Sequence, residues 1–263
     1  MCIRDSCIVT SLGLSAHEPS RNRTILIGLV RDERKPLATR FELRSPNPKS
    51  NTYLILASSY MAMLDGIKNV LENKKTPEEL EKSISKKLGE EDFYLETDRE
   101  YRSEKDVFED FTEEERDARF GIAPATVWQN LRGFVNYPEK VAAISGEGVF
   151  SKASIESYTE YALMQWKTEL HNRIIPDYMR DIREYVKMHG EDATDYDVDN
   201  WEKITSLKYE IAKSSLSRKC LLARAKEALD EGELQKASDL QLELQLKMSQ
   251  LRSLYSTYRK NLF

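Results

Sequence analysis

"ATRFELRSPNPKSNTYLILASSYMAMLDGIK", Ala38 to Lys68, changes its hydrophobic period once, and that change decides the fold. From Ala38 to Arg44 the residues alternate, as in a strand with two unlike faces. Thr39, Phe41 and Leu43 share one face, and Arg40, Glu42 and Arg44 share the other. Two prolines in "SPNPKSN" then break the pattern. From Tyr53 to about Leu71 the chain reads as a strongly apolar helix, capped by Ser50 or Asn51. Gly66 costs that helix about 1 kcal/mol relative to alanine, so close packing is expected there. Upstream, "TILIGLV" (Thr24 to Val30) reads as a strand buried on both faces. "RDERKPL" turns the chain between the two strands, which are expected to pair antiparallel.

Downstream the character changes. From Thr76 to Arg119 acidic and basic residues dominate, with sparse aromatics such as Phe93, Tyr94, Phe108 and Phe111, which predicts surface helices over a core. A helix is expected to begin near Thr126. "SIESYTEYALMQWKTELHNRII" sets Ile155, Tyr158, Ala162, Trp166 and Leu170 in one apolar stripe. Pro176 should end or kink that helix, and "DYMRDIREYVKM" resumes it. "HGEDATDYDVDN" reads as an acidic linker. Two helices follow, the first marked by Trp201, Ile204 and Ile211, with a turn around Gly232. The second carries Leu234, Ala237, Leu240, Leu244, Met248, Leu251, Tyr255, Tyr258 and Leu262 in steps of three and four, a seam suited to an antiparallel hairpin.

Composition narrows the function. The 263 residues carry a net charge of -5 and 32% charged side chains, with mean hydropathy -0.61. An acidic balance argues against general nucleic-acid binding, which needs a basic surface. No stretch approaches the roughly 18 apolar residues of a membrane span, and the start lacks an apolar signal region. Cys2, Cys7 and Cys220 are too scattered for a disulfide framework or a zinc site, and a reducing cytoplasm is the expected compartment. His17, His171 and His189 show no ligand spacing.

One constellation carries chemistry. Arg40, Glu42 and Arg44 span about 13 Å of strand at ~3.3 Å per residue. A solvated face with ion pairs is one explanation. The other starts from "SRNR" (Ser20 to Arg23), which brings two more arginines to the neighbouring strand. Several arginines around one carboxylate suit anionic substrates bound through a metal.

"RNRT" followed by "ATRFELRSPNPKSNTYLILASSYMAMLDGIK" resembles the C-terminal part of the glutamine synthetase catalytic domain. The family pattern is R-N-R-S/T, a strand R-x-E-x-R, a proline-containing loop, N-x-Y-L and a helix ending L-D-G-I. All five parts occur in order between Arg21 and Lys68. The resemblance implies an ATP-dependent ligase that joins glutamate to ammonia through a γ-glutamyl phosphate. It implies that Glu42 binds a divalent cation, Mg2+ or Mn2+, and that Arg44 holds the substrate glutamate. It implies catalytic and ATP contacts for Arg23, the nucleotide side for Arg40, and a supporting role for Arg21. The family assembles as homo-oligomers with active sites between neighbouring subunits. Gly28 stands where some members carry a further phosphate-binding arginine. Leu37 stands near an expected nucleotide-side lysine, and the flap motif with its catalytic glutamate is not visible upstream.

The remaining metal ligands and the N-terminal domain of that family have no counterpart in this sequence. The chain is therefore expected to be an N-terminally truncated fragment, inactive alone. Met1 to Ser6, "MCIRDS", fits neither a signal nor a fold. Its codons can read as the end of a transposase adaptor used in sequencing libraries, so residues 1–6 are expected to be an artefact. The expected fold class is α+β and predominantly helical: an antiparallel strand pair, then a helical region with a terminal hairpin. The expected domains are residues 7–72 for the synthetase part, 73–190 for the charged insertion and helical end, and 191–263 for the hairpin extension. Two competing readings are a helical scaffold with a degenerate synthetase remnant, and a ligase acting on another amine.

Overall fold

Asn51 decides where the first helix starts, because its side-chain oxygen accepts the backbone N–H groups of Tyr53 and Leu54 at 3.0 and 3.2 Å. In this computed structural model, which describes residues 27–30, 34–46, 50–83, 86–92, 95–101, 103 and 105–261, that helix is α1, Thr52–Asn73. It closes on Lys74, whose left-handed conformation (φ 52°) directs its N–H back to Val70 and Leu71. Two short strands precede it, β1 (Ile27–Val30) and β2 (Arg40–Leu43), paired antiparallel as the alternation requires. The register sets Ile27 opposite Leu43, Gly28 opposite Glu42, Leu29 opposite Phe41 and Val30 opposite Arg40. The fold class is thus α+β and predominantly helical, as the sequence implied. Met1–Ser6, Cys7, His17, Arg21, Arg23, Phe93 and Tyr94 lie outside the described residues.

The chain divides into two compact units, Met1–Ala123 with Glu139–Phe150, and Pro124–Pro138 with Ser151–Phe263. In the first, α1 buries only Met61 among its described side chains, and Met61 Cε lies over Gly146. Lys68 Nζ bonds Glu147 Oε1 at 2.7 Å on the same stretch. Gly66 has open space around it, contrary to the close packing expected from its cost. The exclusion of a membrane-length segment also needs correcting. α1 is long and apolar enough to span by length and composition alone, with mean hydropathy 1.2 over its best window. Helices that pack inside large soluble domains meet the same criterion.

The charged region does not form a layer of surface helices. Among the described residues there, only α2 (Pro77–Ser83) and α3 (Glu113–Phe120) are helical, and the rest is irregular chain with short turns and bends. Both helices start with a reciprocal cap. Thr76 and Glu79 exchange side-chain to backbone bonds at 2.8 and 3.2 Å, and Thr112 and Glu115 do so at 2.9 and 3.2 Å. Between them Gly89 takes a left-handed φ of 84°, and Asp92 and Asp106 accept the N–H groups of Leu95 and Phe108, local bonds that compete with a helix. Val107 and Phe120 form a small core of their own, with Phe111 packed edge-on to Phe120. Ionic contacts fasten it: Arg119 to Glu100 at 2.9 Å, Arg99 Nη2 to the Phe120 carbonyl at 2.8 Å, and Lys140 to Glu96.

Among its described residues the second unit has helices and no strand. Thr126 caps α4 (Val127–Asn136), which begins where the sequence placed it. α5 (Pro138–Ser145) belongs, past Pro138, to the first unit, and in the second α6 (Lys152–Glu169) and α7 (Ile175–Glu184) run as one rod. Pro176 does not end it. The turn Leu170–Ile174 widens to a π-helix in which the Ile175 N–H reaches the Leu170 carbonyl. That extra residue makes room where a proline lacks its own N–H and crowds the preceding turn. Of the apolar stripe, Trp166 and Leu170 are buried while Tyr158 remains 53% exposed.

The acidic linker is shorter than expected. Its end is the first turn of α8 (Asp195–Ala212), where Thr194 and Asp197 form a capping box. Beyond it the chain makes three helices: α8, α9 (Leu221–Asp230) and α10 (Leu234–Asn261). Gly232, at φ +76°, supplies the left-handed residue that turns α9 into α10. The α10 seam is buried at Ala237, Leu240, Leu244, Met248, Leu251, Tyr255 and Tyr258, and it packs with Ile204, Ile211, Leu221 and Ala225 into one core. Burying side chains of this size is the main stabilising term, each worth about 1.5–3 kcal/mol.

Candidate functional site

β2 delivers the candidate side chains because alternation sends every second residue to the same face. Glu42 and Arg44, two positions apart, therefore meet. Arg44 Nη2 lies 3.0 Å and Nε 3.3 Å from the same carboxylate oxygen, Glu42 Oε2. The side chains are 52% exposed for Glu42 and 25% for Arg44, so the pair borders solvent. Arg40, on the same face, turns back and donates from Nη1 to the Ala38 carbonyl at 3.4 Å. Phe41 and Leu43 on the opposite face are exposed among the described residues. Arg23 and Arg21 lie outside the described residues, so the convergence of arginines rests on Arg40 and Arg44 alone.

Directly opposite Glu42 on β1 is Gly28, which is buried. A Cβ there would stand 3.0 Å from Arg44 Nη2 and 3.3 Å from Glu42 Oε2. The pair thus lies over the one residue of β1 without a side chain. Sequence reasoning registered Gly28 only as a missing arginine. The available signal was an isolated glycine inside a β-branched run, which marks close approach by another group.

A divalent cation is the group the resemblance implies at Glu42. Hard cations take six or more oxygen ligands, several of them carboxylates. Among the described residues no three acidic, histidine or cysteine side chains gather in any such cluster. A single carboxylate already paired with a guanidinium does not make a cation site, so the described residues by themselves do not fit the ion.

What the site can do by itself is present a guanidinium, steadied by a carboxylate, at the rim of a two-stranded sheet. Comparison with known proteins shows what that strand pair is similar to. Residues 19–98 match the family described as "Glutamine synthetase, catalytic domain". A glutamine synthetase of Clostridium saccharobutylicum is 47% identical over 64 residues, which are 24% of this chain and 13% of that protein. The chain therefore spans only about an eighth of that curated relative's length. No solved structure matches it. Residues 19–98 are thus similar to a segment of the glutamine synthetase catalytic domain.

Proposed function

We propose that this chain contributes part of the active site of an ATP-dependent glutamate–ammonia ligase and is inactive alone. The match of residues 19–98, carrying Arg40-x-Glu42-x-Arg44 on β2, is the observation that supports this reading. In the reaction the γ-carboxylate of glutamate attacks the terminal phosphate of ATP, releasing ADP. Ammonia then displaces phosphate from the acyl phosphate. Two anions must be brought in line, which arginines make possible by offsetting their repulsion.

Within this reading Arg44 binds the substrate glutamate, Arg23 contacts ATP and the reacting carboxylate, and Arg40 lies toward the nucleotide. Glu42 supplies at most one ligand to Mg2+ or Mn2+, and the others come from outside the described residues. The full protein is a cytoplasmic homo-oligomer with sites between subunits. A second reading, an interaction scaffold, draws on the helical unit, whose core lies beyond the matched residues and holds no cluster of metal-ligating side chains among the described residues.

A chimera separates them. The 64 matched residues of the Clostridium saccharobutylicum enzyme are replaced by the aligned residues of this chain, and glutamine formation is assayed. The ligase reading expects an active chimera that loses about 100-fold on Arg44→Ala. A folded, oligomeric but inactive chimera supports the scaffold. Turnover of ATP, glutamate and ammonia by the chain alone refutes its inactivity.

A further inference from the structure

We infer that α1 is a self-association surface, whose exposed apolar stripe pairs with the same stripe of a second copy of this chain. The inference is independent of the ligase reading, because it draws on none of Arg40, Glu42 and Arg44.

α1 is strongly apolar, yet it buries only Met61 among its described side chains. Its exposed large side chains are not scattered. Tyr53, Leu56, Tyr60, Met63 and Ile67 follow steps of three, four, three and four, and Leu71 comes four further on. Each of the six is 48–84% exposed. At about 100° per residue they fall within roughly 80° of the helix circumference. Single exposed apolar residues need no explanation, but a continuous stripe marks an interaction surface. Alternating steps of three and four are the spacing with which one helix meets another, each side chain entering a hole between four residues of the partner.

Two features of the stripe select a second copy as that partner. The first is charge. Asp65, Lys68 and Glu72 are the charged residues of α1, and each lies roughly 100° or more from the centre of the stripe. Ala57, Ser59, Leu64, Gly66 and Asn73 flank it, so two copies meet without opposing like charges. Gly66 has open space where a side chain would stand, which lets two backbones come close. The second is area. At roughly 200 Å² for a large side chain, the exposed shares amount to about 750 Å² per copy, close to the ~800 Å² that each partner of a stable complex buries.

The test is sedimentation equilibrium of the full chain over a wide concentration range, with circular dichroism to report the helix content of each variant. The chain should show a reversible monomer–dimer equilibrium. Tyr60→Glu and Ile67→Glu each place a charge in the seam and should weaken the dimer at least about 10-fold. Ala62→Glu sets the same charge on an exposed position of α1 off the stripe and should leave the dimer unchanged. Either seam variant that keeps its helix content decides the matter. A dimer that the seam variants do not weaken overturns the proposal, as does one that Ala62→Glu weakens equally. Because α1 also has the length of a membrane span, the chain is floated with phosphatidylcholine vesicles. A monomer that rises with the vesicles gives the stripe to a bilayer. A monomer that stays in solution gives it to another protein chain, and both results overturn the proposal. Neither bears on the chimera assay, which reads glutamine formation.

Discussion

The phenolic oxygen of Tyr258 accepts the backbone N–H of Met188 at 2.8 Å, and that of His189 at 3.0 Å. Two donors fill its lone pairs, so its own hydrogen goes to His189 Nδ1 at 2.9 Å. One turn earlier, Tyr255 Oη bonds the Val186 N–H and carbonyl at 3.4 and 3.3 Å. Two tyrosines of α10 thereby hold the extended segment that leaves α7.

Tyr258→Phe keeps the ring and leaves two part-buried donors without their acceptor. We expect a loss of about 1–3 kcal/mol in urea unfolding of the chain. Tyr209→Phe, at an exposed position, should leave the midpoint unchanged. Equal midpoints for both variants would remove the tyrosine clip from the account.

The register of α10 is tested by two leucines. Leu244 is fully buried and Leu246 is 59% exposed. Leu244→Ala should cost about 2–5 kcal/mol, and Leu246→Ala should stay within about 0.5 kcal/mol. A rotated helix would reverse that order in thermal or urea unfolding.

At the start of α8, Thr194→Ala should cost about 1 kcal/mol by removing the cap. The Asn261 amide, then Thr194, holds the Asp197 carboxyl below its usual value of 3.8. A lowered folded pKa gives stability that is present above pH ~4. It is lost as pH falls through the lower folded value. Asp197→Asn should flatten that acid limb, and an unchanged acid limb would count against the contact.

Burial pushes the Tyr101 phenol up to about 12, with the Glu96 carboxylate beside it acting in the same direction. The neutral phenol is favoured in the fold, so its stabilisation is complete below pH ~10 and lost between about 10 and 12. Burial raises Tyr178 and Tyr185 as well, so ultraviolet titration should show several late tyrosines, and Tyr101→Phe should remove the one that titrates near pH 12. A variant still showing it would reassign the group.

Long amphipathic segments were legible in the sequence because burial repeats along them. The α10 seam and the Thr126 start of α4 followed from spacing and from a single capping residue. The strand pair followed from alternation around Phe41 and Glu42. Residues 76–119 were misjudged, since their charges resemble a helical surface while their turns follow local capping at Thr76 and Thr112. The third helix near the C terminus was missed because the break at Ser214–Ser217 contains neither proline nor glycine. At the site, residue types were readable, but the contact of Arg44 over Gly28 depends on which residue faces which across two strands.

The widened turn at Leu170–Ile174 has a consequence for how the rod could be edited. Buried Leu170 and Ile175 are five residues apart, a step that would rotate the face by about 500°, or 140° past alignment, in a regular α-helix. The bulge absorbs this offset, and Ile182 continues the buried face seven residues later. The rod therefore carries one residue more than its buried face needs. Deleting Asn172 together with Pro176→Ala should leave a plain helix with the same side chains still inside, whereas a deletion elsewhere in the rod would turn them out.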